Sequence, residues 1–372
     1  MRSPIVLVLA ALLFLPLAPS VFAQDRDDRE QETMIDERFS VNEGGTLEVD
    51  VGDADIEVVP GASDEVHVEV ILTARNLNDK AREYFEKQNF NVTLSGNTVR
   101  VETDRRRRIR IGWGNWRNHP HIYVRVSTPE TFNADLHTSD GDIGVDHLNG
   151  DIRLRTSDGD VTVGEISGNT LALSTSDGDI RVEALDGETI DIHTSDGDLD
   201  LGTITAERIT ARTSDGDIRA TSLNGDAEVK TSDGDIDIDA VNGPSFFART
   251  SDGDITVSEL IAGRSTVRSS DGDITLRRVE GDLNVSGSSA HIRLDLYKPG
   301  EVTATTSDGN ISITLPSTLG ADLRLRGDNV RISRDLDFDG RIEDESATGE
   351  INGGGPLIEA RTSDGVVTVR GN

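Results

Sequence analysis

The sequence contains no cysteine, and this absence excludes several classes of site. A chain without thiols has no disulfide framework, no cysteine-ligated zinc and no thiol nucleophile. Aromatic residues are also scarce, at 4% of 372 residues. Globular enzymes of this size usually build their cores and pocket walls with aromatic side chains. The composition therefore argues against an ordinary globular enzyme.

Basic residues are few compared with acidic ones, since 37 Lys and Arg face 69 Asp and Glu and give a formal net charge of −32. Such acidity disfavours contact with the phosphate backbone of nucleic acids, and we expect no nucleic-acid partner. High charge with few aromatics is also typical of disordered chains. An internal repeat, described below, favours an ordered fold instead.

The N-terminus has the pattern of a secretory signal peptide over residues 1–23. Arg2 precedes an apolar run from Ile5 to Leu17, and the segment ends on the small residue Ala23. The run is shorter than a membrane span and is interrupted by Pro16. We therefore predict export to the periplasm, the outer cell surface or the medium, with no transmembrane segment after cleavage. Residues 24–38 would then form an acidic, flexible leader.

One phrase, Thr/Ser-Ser-Asp-Gly-Asp followed by an aliphatic residue, recurs every 18 or 19 residues. Less regular copies follow the best ones, at Ala290, Gly309, Asp328, Gly349 and Gly365. A second glycine comes nine residues after most of the first ones, so each repeat has two turns and two segments of about seven residues. The glycines of the best copies are Gly141, Gly159, Gly178, Gly197, Gly216, Gly234, Gly253 and Gly272.

Within each repeat, aliphatic residues alternate with polar ones, as in Ile180-Arg181-Val182. This period of two indicates β-strands with one apolar face. A single repeat cannot bury that face, whereas stacked copies bury a continuous core. The sequence therefore predicts an all-β fold, a parallel β-solenoid of about 19-residue two-strand rungs over residues 136–372, with its two sheets facing each other.

Residues 39–135 are less regular and predict an N-terminal cap. Alternating segments indicate strands, and Asn78 to Gln88 indicate one short helix with Ala81, Tyr84 and Phe85 on one face. The segment from Gly52 to Ile56 is a degenerate first copy of the repeat. A cap is expected because an open solenoid end would expose strand edges.

Stacking of the turns would place two aspartates of each copy in two columns. Asp-Gly is also strong turn chemistry, with glycine suited to a positive φ, and this structural role is the first interpretation. Like charges about 5 Å apart repel by on the order of 1 kcal/mol per pair in water, so an offsetting partner is expected. The predicted columns, which are the candidate Ca²⁺ ligands, are Asp140, Asp158, Asp177, Asp196, Asp215, Asp233, Asp252 and Asp271 before the glycines, and Asp142, Asp160, Asp179, Asp198, Asp217, Asp235, Asp254 and Asp273 after them.

Two partners could offset this charge. Ca²⁺ is a hard cation that carboxylates and turn carbonyls satisfy, and it is the only cofactor that the sequence suggests. The alternative lies within the protein, in a mostly cationic column four residues before each glycine. Its members are His137, Arg155, Ser174, His193, Arg212, Lys230, Arg249 and Arg268.

A basic tip at residues 105–118 interrupts the acidic sequence and contains both tryptophans of the chain. Arg with Trp can bind anionic groups or lie at a membrane interface. Alternatively, the tip is a basic hairpin that contacts the acidic body of its own molecule. The candidate binding residues are Arg105, Arg106, Arg107, Arg108, Arg110, Trp113, Trp116 and Arg117.

Motifs for catalysis are missing from the sequence. It has no nucleophile elbow, phosphate-binding loop or His-Glu metalloprotease motif. Paired carboxylates could in principle hydrolyse a glycan, as in some β-helical enzymes. Here, however, carboxylates are part of every repeat, so we expect no enzyme.

The repeated Thr138-Ser139-Asp140-Gly141-Asp142-Ile143 motif, the short helix before it and the ending Gly353 to Ile358 resemble the putative-adhesin β-solenoid family of bacterial envelope proteins. The likeness covers roughly residues 40–372, and the family supplies no catalytic residues. It implies a binding or scaffold role.

The leading hypothesis is thus a non-catalytic, exported module for adhesion, binding or scaffolding at the cell envelope. Its partner would be an envelope glycan, an anionic surface or another envelope protein. The alternative is an envelope-stress or regulatory partner that binds another protein through the cap and the basic tip. A glycan-cleaving β-helix is the third hypothesis.

Overall fold

The computed structural model describes residues 29–104 and 120–372, and it confirms the predicted all-β parallel solenoid with one short helix near the N-terminus. Strands make up 66% of the chain and helix 3%. The predicted signal peptide and basic tip lie outside the described residues. Within the described ranges, no helix is both long and apolar enough to cross a membrane.

The N-terminal part supplies the first layers of the coil together with their cover. Its elements are β1 (Glu30–Ser40), β2 (Gly45–Asp50), β3 (Ala54–Pro60), β4 (Glu65–Ala74), α1 (Asp79–Gln88), β5 (Asn91–Ser95), β6 (Thr98–Glu102), β7 (His121–Thr128), β8 (Phe132–His137) and β9 (Ile143–Asn149).

The regular repeats form the middle of the rod. Their strands are β10 (Ile152–Arg155), β11 (Val161–Ser174), β12 (Ile180–His193), β13 (Leu199–Arg212), β14 (Ile218–Lys230), β15 (Ile236–Arg249), β16 (Ile255–Arg268), β17 (Ile274–Ser286) and β18 (Ile292–Thr305).

From β11 to β18, each rung is one strand of 13 or 14 residues, where the sequence predicted two segments separated by a turn. Parallel pairing continues through the second glycine, so that Gly168 lies opposite Gly187. The strand bends there and stays paired, because parallel hydrogen bonds to both neighbouring rungs hold it. The coil is therefore one continuous sheet.

The core is built from stacked aliphatic columns, as the alternation predicted. Ile180, Val182, Ile190 and Ile192 are all buried in one rung. The bend adds another buried column. The alternation did not predict it, because the interval between buried residues changes from two to three just before the bend, as from Val182 to Leu185. Its members are Leu148, Ile166, Leu185, Ile204, Leu223, Val241, Leu260, Val279 and Leu296.

The coil begins earlier than the predicted boundary at residue 136. Strand β2 pairs in parallel with β8, and β3 pairs in parallel with β9, which brings Ile56 opposite Ile143. The degenerate first copy at Gly52 to Ile56 is therefore a true layer. On their other side, β2 and β3 pair with β6 and β7, so the first repeat is enclosed by chain that follows it.

The predicted flexible leader at residues 24–38 is wrong for its second half. Residues 30–38 belong to β1, which pairs antiparallel with β4 over ten residue pairs, and residues 24–28 lie outside the described ranges. The physical reason is the edge of β4, whose free amides and carbonyls would otherwise face solvent. Ion pairs such as Arg38 with Glu65 accompany the pairing.

The predicted helix is confirmed as α1. Asn78 is its N-cap, with the side chain accepting from the amides of Lys80 and Ala81. Its apolar face is buried through Ala81, Tyr84 and Phe85.

The C-terminal strands do not stack in the order of the sequence. They are β19 (Ile311–Leu315), β20 (Ala321–Arg326), β21 (Asn329–Ile332), β22 (Phe338–Ile342), β23 (Ser346–Ile351), β24 (Leu357–Arg361) and β25 (Val366–Gly371).

Here the chain first forms the outer layer and then returns to fill the layer beneath it. Strand β24 lies between β18 and β20, and β25 lies between β19 and β21. The copy predicted at Gly349 is therefore wrong: Gly349 lies in β23, opposite Leu323 and Gly340 in antiparallel pairs. This hairpin covers the last parallel strand on its side of the rod.

Candidate functional site

The stacked Ser-Asp-Gly-Asp turns form one long side of the rod, here called the turn edge. Each turn begins on a buried hydroxyl. The Oγ1 of Thr194 lies 3.0 Å from the carbonyl oxygen of Gly178 and 3.2 Å from that of Ser176, to which its O–H donates. The same oxygen accepts from the amide of Gly197 at 3.3 Å. These hydroxyls connect each turn with the turn below it.

The glycine in each turn is required by close approach of the neighbouring rung. A Cβ added to Gly197 would lie 1.9 Å from the carbonyl oxygen of Gly178, and the other regular copies give 1.8 to 2.1 Å. None of these turn glycines has a positive φ. The interpretation of Gly as a left-handed turn residue was therefore wrong here. A side chain is excluded because the neighbouring rung lies too close, and not because of the backbone conformation.

The aspartates that follow the glycines, here called the inner Asp column, hydrogen-bond from rung to rung. The amide of Asp198 donates to Oδ1 of Asp179 at 2.9 Å, and the amide of Asp217 donates to Oδ1 of Asp198 at 2.9 Å. The column starts at Asp55, whose Oδ1 accepts from the amide of Asp142 at 3.0 Å. Each carboxylate thus satisfies an amide of the next rung.

The column continues where aspartate ends. The amide of His291 donates to Oδ1 of Asp273, and the amide of Asn310 donates to Nδ1 of His291. Oδ1 of Asn310 in turn accepts from the amide of Val366, which belongs to the returning C-terminal chain. The amide oxygen of Asn310 thus takes the acceptor position that carboxylates occupy in the earlier rungs.

The aspartates that precede the glycines, here called the outer Asp column, are all exposed. They run from Asp140 to Asp271, and neighbouring rungs lie about 4.8 Å apart. At the N-terminal end, burial and the charges of Asp53 and Asp158 raise the pKa of Asp140. The outer column is a line of negative charge along an accessible edge.

Arginines at the third position after the glycine offset part of the charge. Arg181 contacts Oδ2 of Asp160 at 2.9 Å and Oδ2 of Asp179 at 2.6 Å. Arg219 makes the same kind of contact with Asp198 and Asp217, at 3.4 and 2.5 Å.

The predicted cationic column four residues before each glycine contacts a different partner. Arg212 and Lys230 both form ion pairs with Glu228 and lower its pKa. None of the ion pairs found in the described residues joins this column to either Asp column. Along each rung this column comes just before the buried threonine, whereas the aspartates follow it.

The inner column has one strongly perturbed group at its start. Burial raises the pKa of Asp55 to about 6, opposed by the hydrogen bond from the amide of Asp142 and reinforced by the charge of Asp142. Burial also raises the pKa of Asp142. Desolvation therefore dominates at the end of the rod, where neighbouring elements pack over the turn.

Helix α1 packs near this end. The Tyr84 hydroxyl donates to Oδ2 of Asp53 at 3.3 Å, and burial followed by the Asp53 charge raises the pKa of Tyr84. Phe85 stacks on Phe90 with ring centroids 5.3 Å apart. The first turn is thus covered, whereas the later turns are open.

The grooves along the rod are shallow and open. One of about 400 Å³ is lined by Asp200, Arg219, Asp237 and Asp239 beside Gly202. In the described part of the chain, the three-ligand cluster that could hold a metal lies away from the turn edge, at Asp36, His67 and Glu69. Calcium binding by the Asp columns stays a prediction, as does binding by the basic tip.

A family model described as Toastrack DUF4097 matches residues 45–259 and 224–370, which together cover nearly all of the rod. The chain belongs to this family. The resemblance to the putative-adhesin β-solenoid family is thereby confirmed. The Toastrack match begins at the first residue of β2, in agreement with the early start of the coil.

Solved structures similar to this Toastrack chain include two described as putative adhesins. The one from Parabacteroides merdae ATCC 43184 is 13% identical, with a TM-score of 0.33, over 77% of this chain and 97% of that chain. The one from Bacteroides fragilis NCTC 9343 is 12% identical, with a TM-score of 0.26, over 92% and 97%. No curated protein matches the chain significantly.

A third similar structure, from Parabacteroides distasonis ATCC 8503, is described as a putative lipid binding protein. It is 12% identical, with a TM-score of 0.26, and the match covers 93% of this chain and 98% of that chain.

The regular stacking of this Toastrack rod is interrupted at Arg278, a feature that sequence reasoning missed. Arg278 has φ 48°, and the pairing of β17 with β18 shifts register across it, between Leu276 and Val279, and again after Val279. Next to it Tyr297 is 44% exposed, with Arg278 and Lys298 5.4 and 4.9 Å from its ring centroid. The only sign of this irregularity in the sequence is the doublet Arg277-Arg278, at the position where the strand bends.

Proposed function

We propose that this chain is an exported, non-catalytic module that binds a partner at the bacterial cell envelope, through adhesion or as a scaffold. The observation that carries the proposal is the uniform turn edge. The same carboxylates and hydroxyls recur at every rung, so the surface offers many equivalent contacts and no single reaction centre. Membership of a family with a rod-like β fold supports this role.

The chemistry of the edge also supports binding over catalysis. The most perturbed carboxyl, Asp55, already accepts an amide hydrogen bond within the stack. A general acid needs a proton-transfer path to substrate in a shaped cavity. The described grooves are open, and the inner aspartates, which are not among the residues lining the groove at Arg219, are engaged in hydrogen bonds between rungs. A glycan-cleaving role therefore has less support.

A second candidate, binding of another envelope protein through the cap, is favoured by the basic composition of the segment that joins two strands of the cap. Residues 105–118 connect β6 with β7, which are the outermost parallel strands at the N-terminal end of the rod. Charge in this segment is opposite to that of the turn edge. A basic segment and an acidic turn edge in one chain suit partners of opposite charge.

The experiment combines fractionation of the native cell with binding assays. The native chain is expected in the periplasm, on the outer surface or in the medium; recovery in the cytoplasm would contradict the proposal. Binding to an acidic polysaccharide and to envelope extract is then compared for the full chain and for a variant with residues 105–118 replaced by a Gly-Ser linker of equal length. Loss in the variant assigns binding to the tip, and full retention assigns it to the rod.

A further inference from the structure

Three side chains from two neighbouring strands converge on the outer face of the sheet near the N-terminal end. They are Asp36 on β1 and His67 and Glu69 on β4, and one ligand atom from each lies within 4.8 Å of the other two. Nε2 of His67 is 2.8 Å from Oδ1 of Asp36. The imidazole is 17% exposed and the Asp36 carboxylate 59% exposed, so the cluster is open on one side.

A β-bulge produces this convergence. The pairing of β1 with β4 slips by one residue between Thr33 and Ile35. After the slip, Asp36 lies directly opposite Glu69. Without it, Asp36 would oppose Val68 and point to the core face, since a shift of one residue exchanges the faces of a strand. Bulges commonly redirect a side chain at functional positions.

Arginines border the cluster, but their ion pairs are with other carboxylates. Directly opposed like charges destabilise a strand pair, and Asp36 with Glu69 is such a pair. Arg125 of β7 lies directly opposite Glu69 but contacts Glu57, and Arg38 of β1 contacts Glu65. Among the described residues, neither Asp36 nor Glu69 has an ion pair with Lys or Arg. A cation of another kind would fit here.

We propose that Asp36, His67 and Glu69 form a binding site for a divalent transition-metal ion of the zinc class. One imidazole nitrogen and two carboxylate oxygens are ligands that Zn²⁺ accepts, at about 2.0–2.2 Å, with water completing the coordination. The imidazole disfavours Ca²⁺ and Mg²⁺, which take oxygen ligands. Two hydrogen-bonded strands hold the ligands, so only side-chain rotation is needed to close the site.

The site would stabilise the cover of the rod. Metal bound across β1 and β4 ties the first described strand to the sheet, and any ion that binds only the folded state raises its stability. It also differs from the predicted Ca²⁺ ladder in place, ligands and preferred metal. Zinc and calcium titrations therefore separate the two.

The test is calorimetric titration of the full chain with Zn²⁺, with Co²⁺ absorption as a second readout. His67→Gln and Glu69→Gln should each weaken zinc binding at this site at least tenfold. His193→Gln, at an exposed histidine on β12 outside the cluster, is the matched control and should bind as the parent does. Millimolar Ca²⁺ should not displace the zinc.

Unchanged zinc affinity and stoichiometry in His67→Gln would overturn the proposal. So would zinc binding that disappears only when residues 105–119 are replaced, because a ligand in that segment, such as His119, would then account for it. Melting curves in chelator check the fold. If His67→Gln melts as the parent does without metal but loses the zinc-induced rise in Tm, the assignment holds.

Discussion

The amide of Asp198 donates to Oδ1 of Asp179, in the preceding rung, at 2.9 Å. The same hydrogen bond recurs at this position from Asp55 to Val366. It gives the inner Asp column a structural role. Each carboxylate is an acceptor that holds the next turn in register. Repulsion along the column is offset locally by these amides, with Arg181 and Arg219 adding charge compensation.

The acceptor role predicts different effects for two substitutions at Asp254, which accepts from the amide of Asp273 at 2.7 Å and has no arginine partner among the described residues. Asp254→Asn keeps an oxygen in place and should change the free energy of unfolding by less than about 0.5 kcal/mol. Asp254→Ala removes the acceptor and should cost about 1 kcal/mol. Urea denaturation measures both. Equal effects of the two variants would show that the hydrogen bond contributes nothing.

The buried start of the column predicts a pH dependence. The pKa of Asp55 is raised to about 6, so the folded chain holds this proton more tightly than the unfolded chain does. The protonated carboxyl therefore adds to the free energy of unfolding below about pH 4, and this contribution is lost as the pH rises through about 6. Its size is on the order of 3 kcal/mol.

Asp55→Asn removes this titration while keeping the acceptor, as Asn310 does naturally. The variant should match the parent in stability at pH 4 and exceed it at pH 7, which denaturation at both values measures. Asp252→Asn, in the exposed outer column, is the control. A difference between parent and Asp55→Asn that does not vary with pH would refute the assignment.

The close approach at the turn glycines predicts a strong effect of a single methyl group. Gly197→Ala places a Cβ 1.9 Å from the carbonyl oxygen of Gly178 and should lower the free energy of unfolding by roughly 1–3 kcal/mol, as overpacking does. Gly52→Ala is the matched control, because nothing lies within 4 Å of its Cβ. Thermal melts compare the two. Equal stability of both variants would contradict the steric explanation.

Calcium binding by the Asp columns stays a prediction, which the melting temperature of the chain can test directly. If carboxylates of the outer column bind Ca²⁺ at several rungs, millimolar Ca²⁺ should clearly raise the Tm relative to chelator. Neutralising Asp196, Asp215 and Asp233 together as Asn should remove part of that rise. An unchanged melt with and without Ca²⁺ would exclude the ladder as a calcium site.

Much of the fold could be predicted from the sequence because the signal is repeated. Alternation around Ile180 and Val182 identified the buried face, and the period identified stacking. The buried column that contains Leu185 was not predicted, since its place in the alternation depends on a bend that arises only when the strand closes into a coil. The Asp36, His67 and Glu69 cluster was also invisible, because a bulge sets its register.

The sequence by itself determined the rung: its length, its buried face and its turn residues, all of which depend on residues close together in the chain. Only the tertiary structure decided what each rung contacts. The acceptor for the amide of Asp198, the carbonyl that excludes a side chain at Gly197 and the return of β24 beneath β20 involve residues at least 18 positions apart. Because the repeats are similar, their strand edges could pair in more than one order. The order of stacking is therefore set by the packing of the whole rod.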